Sequence, residues 1–384
     1  MLPFIKKFKK EIEKLENVST VFTPPKRWYS TGNYALNRII SGSYFKAIPE
    51  GRLSGFVGPS AAGKSYIICN IIREAQAEGT FVLVLDSENA LDPKFMSRAG
   101  VSISEDKLLY AQIVTIQDVT AVISEFLTGY EKDYGRFNDT APPIMIVLDS
   151  LGNCLTDSEN DKFNRGVQTG DQGQSAKNKK HLLRTLVSRL ARCNATFAFT
   201  DQVYPADPMA GDGLWAVTNG VKYSASQITL LTKLRLKEDS EIVGIRMRAE
   251  TYKSRFVKPG TKIEVEIPYS TGLSKTSGLL DRWLEDGVIK KDGYGFLVEL
   301  GGETVKFKKT DLTDEFALKI LTTNPICKKI EEDFDLFEST NEADDSSSEE
   351  EGVSNFKYNL NPGEVLDPDT GEIIQTEHAP DGEE

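Results

Sequence analysis

Three short runs, FVLVLD (81–86), IMIVLD (144–149) and TFAFTD (196–201), are almost continuously apolar. A strand with one wet face alternates apolar and polar residues, whereas a strand covered on both faces does not. Helical patterns such as YIICNIIREAQAEG and HLLRTLVSRLARC lie between runs of this kind, and RLSGFVG comes before them. Strand, crossover helix and parallel strand in succession describe an open, twisted α/β sheet. QITLLTKL, IVGIRMRAET and KIEVEI alternate more and read as an antiparallel extension of it.

The segment GPSAAGKS (58–65) fits G-x-x-x-x-G-K-[ST] between a strand-like run and a helical pattern. Gly58 and Gly63 let backbone amides curl around phosphate oxygens with no Cβ in the way, and Pro59, Ser60, Ala61 and Ala62 complete the loop. The helix beginning near Lys64 adds its positive N-terminal end. Lys64 is placed to reach the β- and γ-phosphates, and the Ser65 hydroxyl to ligate Mg²⁺. Asp149, which closes IMIVLD, supplies a carboxylate for the water shell of that ion. ATP and Mg²⁺ are the expected cofactors. Glu88 follows FVLVLD, and in such a sheet its strand end opens on the same crevice. There a carboxylate can polarise the water that attacks the γ-phosphate, which favours hydrolysis over transfer to a small acceptor. The plain alternative for Glu88 is a charged residue that starts a surface loop.

Charge is unevenly distributed. The chain of 384 residues has a net charge of −12, yet from Glu331 to Glu384 there are 19 acidic residues against the single Lys357. Residues 1–330 then carry 45 basic and 39 acidic side chains. A mildly basic body with an acidic appendage hints at nucleic-acid contact, and a merely solubilising tail fits the composition equally. Four scattered cysteines and two histidines, His181 and His378, suggest a reducing compartment and exclude a histidine-rich metal site. No run approaches the length of a membrane span. The start, MLPFIKKFKKEIEKLENVST, reads as a basic amphipathic helix rather than a signal peptide.

The organisation expected from these patterns has four parts. Residues 1–29 form an N-terminal segment, 30–267 the α/β core, 268–330 a small α+β domain and 331–384 a disordered acidic tail. Two polar segments, 157–178 and 203–220, read as long structureless loops, which in a compact domain are usually functional or disordered.

These residues resemble the RecA family of recombination ATPases, in order from about Ser30 to Lys319. STGNYALNRIISG and PEGRLSGFVGPSAAGKS are similar to the family's approach to the phosphate loop, and AQAEGTFVLVLDSENALDPKFMSRAGV to its catalytic-glutamate segment. DSLGN (149–153) and SGLLD (277–281) resemble the phage, UvsX-like, branch. The resemblance implies a RecA-like P-loop ATPase fold with a mostly parallel central sheet. It implies that Glu88 is catalytic, that Asp92 and Phe95 flank adenine, and that Gln202 senses the γ-phosphate. Lys253 and Arg255, two apart on a strand and so on one face, would reach a neighbouring subunit's γ-phosphate.

The two polar segments fall where the family keeps its DNA-binding loops. Arg165, Lys177, Lys179 and Lys180 are offered for phosphates, and Tyr204, Met209 and Trp215 for stacking on bases. The implied activity is ATP-dependent filament formation on single-stranded DNA, homologous pairing with duplex DNA and strand exchange. Single-strand-binding and mediator proteins are expected partners, no membrane is involved, and the setting is cytoplasmic (the host cytoplasm if phage-encoded). The rival readings are a ring helicase or motor on the same fold and a non-catalytic, ATP-clamped DNA loader or scaffold.

Overall fold

A computed structural model describes residues 2–339 apart from 16, 17, 19, 21–23, 168–172, 206–214 and 239, together with 364–366 and 373–375. Its centre is an eight-stranded sheet. The strands are β1 (Leu53–Val57), β2 (Phe81–Asp86), β3 (Leu108–Gln112), β4 (Ile144–Asp149), β5 (Ala195–Asp201), β6 (Gln227–Glu238), β7 (Glu241–Ser254) and β8 (Lys262–Pro268). Their spatial order is β8-β7-β6-β1-β5-β4-β2-β3. The six strands from β6 to β3 run parallel, and β7 and β8 extend the sheet antiparallel. The sheet expected from the apolar runs is present, with one strand more: β3, half exposed at the outer edge, carries no buried apolar run to announce it.

Period-two alternation divides the core into two layers. Val82, Val84, Met145 and Val147 face one side, where they pack with Ile67 and Ile71 of helix α2 (Lys64–Ala77). Leu83, Leu85, Ile146 and Leu148 face the other, against Leu186 and Leu190 of helix α3 (Gln174–Arg192). Both layers are dry, which explains why β2 and β4 read as unbroken apolar runs. Among the described residues no helix is long and apolar enough to cross a membrane.

The first helix, α1 (Pro3–Ile12), forms as expected. None of its residues is buried, and Phe4 and Phe8 stack at 6.0 Å on its surface. Residues beyond Pro268 build a smaller core around Leu279, Trp283, Val298, Phe307 and Ile320, completed by Tyr44 from the main body. Asp286 ties this unit down by accepting from Tyr44 Oη (2.6 Å) and pairing with Arg38.

The tail boundary at 331 requires correction. Helix α4 (Pro325–Ser339) runs through it, because Cys327, Ile330 and Phe334 recur at helical spacing and face inward. Glu331 accepts from Ser43 Oγ at 2.6 Å and Tyr44 N at 2.7 Å, and Phe334 packs edge-on against Trp28. Residues 343–384 form a separate unit, in which Glu364–Leu366 pairs antiparallel with Ile373–Gln375.

Glu50, just ahead of β1, is 3% exposed, and burial pushes its carboxyl from 4.5 up to about 7 although Arg27 lies 3.5 Å away. An acid whose folded value is raised binds a proton on folding between those two values, so its ionisation removes stability as pH climbs through that window. Urea unfolding should therefore find Glu50→Gln gaining stability relative to the parent between about pH 5 and about pH 8. A difference independent of pH would contradict this environment.

Candidate active site

The parallel strands end in register. Val57 pairs with Asp201 and Asp86 with Asp149, so the loops that follow open along one rim. The loop after β1 is GPSAAGKS. A Cβ on Gly58 would lie 2.2 Å from the Leu231 carbonyl oxygen, so β6 leaves room for hydrogen alone. Gly63 takes φ +94° as it hands the chain to α2, in the left-handed region that glycine enters freely. Lys64 is 9% exposed, and its ammonium donates to the carbonyls of Gly58 and Pro59, both at 3.0 Å. Burial lowers its pKa, opposed by the negative charges of Glu88, Asp149 and Asp201. The cation therefore sits in the middle of the loop with three carboxylates around it.

Asp149 is 1% exposed and burial raises its pKa, opposed first by the Thr200 hydroxyl and then by the nearby Ser65 hydroxyl. Thr200 Oγ1 donates to its Oδ1, whereas Oδ2 is buried with no partner among the described residues. An orphaned buried carboxylate oxygen beside a serine hydroxyl fits a hydrated cation. Glu88 stands at the mouth of the crevice, exposed, where Ser150 Oγ donates to its Oε1 at 2.6 Å. Burial pushes Asp201 up to about 6. Next to it Gln202 is exposed, with Nε2 donating to Asn153 Oδ1 at 3.0 Å. Asp92 caps the short helix Pro93–Arg98 by accepting from Lys94 N and Phe95 N, and Phe95 is half-buried against the core.

The RecA N-terminal domain family model matches residues 23–274, more than half of the chain. The chain belongs to the RecA family. Protein RecA of Desulforapulum autotrophicum is 26% identical over 290 residues, 74% of this chain and 78% of that one. Protein RecA of Frankia alni is 27% identical over 323 residues, 82% and 86% respectively. Protein RecA of Chlorobium chlorochromatii is 26% identical over 270 residues.

In this RecA-family chain, Lys253 and Arg255 stand far from the phosphate loop. Ser254 pairs with Gln227 at the start of β6, and Gln227 pairs with Ser54 near the start of β1. They therefore lie at the opposite end of the sheet. Lys253 is in β7 and Arg255 lies one residue past its end, its N–H donating to the Ser226 carbonyl at 3.1 Å. Lys253 Nζ donates to the carbonyls of Lys222 (2.6 Å) and Ala225 (2.7 Å), and burial lowers its pKa, Arg255 adding to the effect. Arg255 is exposed and lines a 390 Å³ pocket with Arg52, Lys180, Arg184 and Tyr223. The sequence reading missed Arg52 and Arg184, whose strand-start and helix positions look structural until the fold brings them to one pocket.

The two polar segments are less irregular than expected. In the first, Asp157–Asn164 is a helix closed by a Thr156–Glu159 capping box, and α3 begins at Gln174. Arg165 is exposed at the C-cap of the first helix, whereas Lys177, Lys179 and Lys180 belong to α3 rather than to a loop. Lys179 turns inward and donates to the Gly152 carbonyl at 2.8 Å; Lys177 and Lys180 are exposed. In the second segment Tyr204–Pro205 pairs with Trp215–Ala216, and a helix spans Asn219–Ser224. Tyr204 is exposed and Trp215 packs partly on the core, while Met209 lies outside the described residues.

Gly58→Ala tests the cradle. The added methyl must displace the loop or β6, an overpacking cost of about 1–3 kcal/mol. Calorimetry with a non-hydrolysable ATP analogue should show affinity reduced about twofold to tenfold if half of that strain falls on the binding loop. Unchanged affinity would mean that the loop does not hold phosphate.

Proposed function

We propose that this chain is a DNA-dependent ATPase that polymerises head-to-tail on single-stranded DNA and carries out homologous pairing and strand exchange with a duplex. One observation carries the reading: the phosphate cradle and the Lys253–Arg255 pair occupy opposite ends of one sheet. The five residues of β1 alone separate them by about 15 Å, so the pair does not serve its own cradle. Stacking copies head-to-tail would bring one copy's cations to the next copy's phosphates, and such heterologous contacts grow into open helices when rotation does not close them. The exposed apolar side of α1 supports the same assembly as a docking element on an adjacent copy.

Within each interface the roles divide by position. Lys64 and the loop amides hold the β- and γ-phosphates, and Ser65 with Asp149 would hold Mg²⁺. When bound, that ion would supply positive charge to the phosphates. Asp92 and Phe95 stand by the adenine. Glu88 takes a proton from the attacking water, and Lys253 and Arg255 of the neighbour stabilise charge on the transferred group. Gln202, at the junction between the cradle and the second polar segment, couples the γ-phosphate to DNA. Arg165, Lys177 and Lys180 supply salt-sensitive phosphate contacts, and Tyr204, Met209 and Trp215 stack on bases. The acidic residues after 340 compete with DNA for the basic surface. The setting is the reducing cytoplasm, with single-strand-binding and mediator proteins as further partners.

Steady-state ATP turnover tests the reading. Glu88→Gln should lose at least about 10²-fold in kcat, the usual size of a general-base contribution, while still binding ATP analogue. Parent turnover per chain should rise with protein concentration and with single-stranded oligonucleotide. Turnover indifferent to both, or closed rings in electron micrographs with analogue and oligonucleotide, would contradict the proposal.

A further inference from the structure

Glu88 is exposed and lies outside any strand, so its position depends on what holds the loop after β2. One buried side chain does most of the holding. Asp86, fully buried at the end of β2, accepts four hydrogen bonds. Its Oδ1 takes the Glu88 N–H at 2.9 Å and the Ala90 N–H at 3.4 Å. Its Oδ2 takes the Leu91 N–H at 3.0 Å and the Tyr110 hydroxyl at 3.1 Å. Asn89 adopts φ +54°, a left-handed geometry that asparagine tolerates, so the chain wraps around the carboxylate. Tyr110 reaches Asp86 from β3, the outermost parallel strand. Burial and the neighbouring negative charge of Asp86 push its hydroxyl up to about 12, so it remains a donor at neutral pH.

A charge sealed inside protein is tolerated only when donors surround it, and each of these donors is fixed by the fold. The backbone of the loop is thereby set, and Ser150 Oγ orients the carboxylate at its tip. We infer that Asp86, braced by Tyr110, is the positioning residue for Glu88. The inference rests on Glu88 acting as the base in hydrolysis. Asparagine at 86 would offer one acceptor oxygen and would turn an NH₂ toward groups that are themselves donors. Phenylalanine at 110 would remove one donor and leave the backbone contacts in place.

The decisive experiment is a double-mutant cycle on DNA-stimulated ATP turnover, with analogue affinity and thermal unfolding measured on each variant. Asp86→Asn should lower kcat about 10–10²-fold, the scale expected when a reacting group is displaced by an ångström. Tyr110→Phe should lower it about threefold to tenfold, the size of one ordinary hydrogen bond, since three backbone donors remain on the carboxylate. Analogue affinity should stay within about threefold of the parent in both, because the cradle is untouched. In a Glu88→Gln background neither change should lower the residual turnover further, since a misplaced base costs nothing once the base is gone.

Losses that multiply in that background, or parent-like kcat in Tyr110→Phe, overturn the inference. If Asp86→Asn does not fold, the Tyr110→Phe cycle decides alone. Undiminished turnover in Glu88→Gln itself removes the hydrolysis reading, and the positioning role with it, so the two failures are distinguishable.

Discussion

A parallel sheet buried on both faces finishes its strands along one rim, and the polar groups that close those strands must satisfy one another there. Asp86, Asp149 and Asp201 are at most 3% exposed, and each lies at a strand end. Desolvation would drive protons onto isolated carboxylates in such places. For Asp149 and Asp201 burial prevails and raises the pKa, with Thr200 at the first and the Gln202 amide, Lys179 and Lys64 at the second only partly opposing it. The same network fixes the atoms that would face a nucleotide in the proposed reading. Among the described residues Asp149 keeps one oxygen without a partner, where a ligand would fit in the proposed reading.

The second organising feature is polarity along the strands. Phosphate-binding elements collect at the carboxyl ends, and Arg52, Lys180, Arg184 and Arg255 collect around a pocket at the other. In the proposed reading a single copy would hold two complementary half-sites at opposite ends of the sheet. In the proposed assembly each interface would join one half-site of each kind, which links catalysis to polymerisation without any separate switch. Neutralising a pocket of like charges by a neighbour's phosphates would favour association as well as reaction.

Much of the core was legible because burial on both faces leaves an unmistakable imprint. FVLVLD, IMIVLD and TFAFTD are strands at the expected residues, and the three later runs are the antiparallel extension. The edge strand Leu108–Gln112 was hidden because Leu109 and Tyr110 remain half exposed and give no apolar run. The Asp157–Asn164 helix was hidden by polarity, although its Thr156–Glu159 capping box is visible in the sequence. At 331 the acidic composition obscured three inward-facing residues, Cys327, Ile330 and Phe334, that continue the last helix. Within the candidate site, motif and context single out GPSAAGKS and Asp149, and strand register brings them to one rim. The role proposed for Asp86 was not legible, because its partner Tyr110 is 24 residues away and meets it only through strand pairing.

The claim that the two half-sites act across an interface is tested most directly by mixing two defective chains. Glu88→Gln keeps Lys253 and Arg255, and a Lys253→Ala/Arg255→Ala chain keeps Glu88. With single-stranded oligonucleotide present, equal amounts of the two should recover about a quarter of parent turnover, because about one interface in four joins intact halves when the copies mix randomly. Turnover no greater than the sum of the separate chains would show that Lys253 and Arg255 do not complete a neighbour's site.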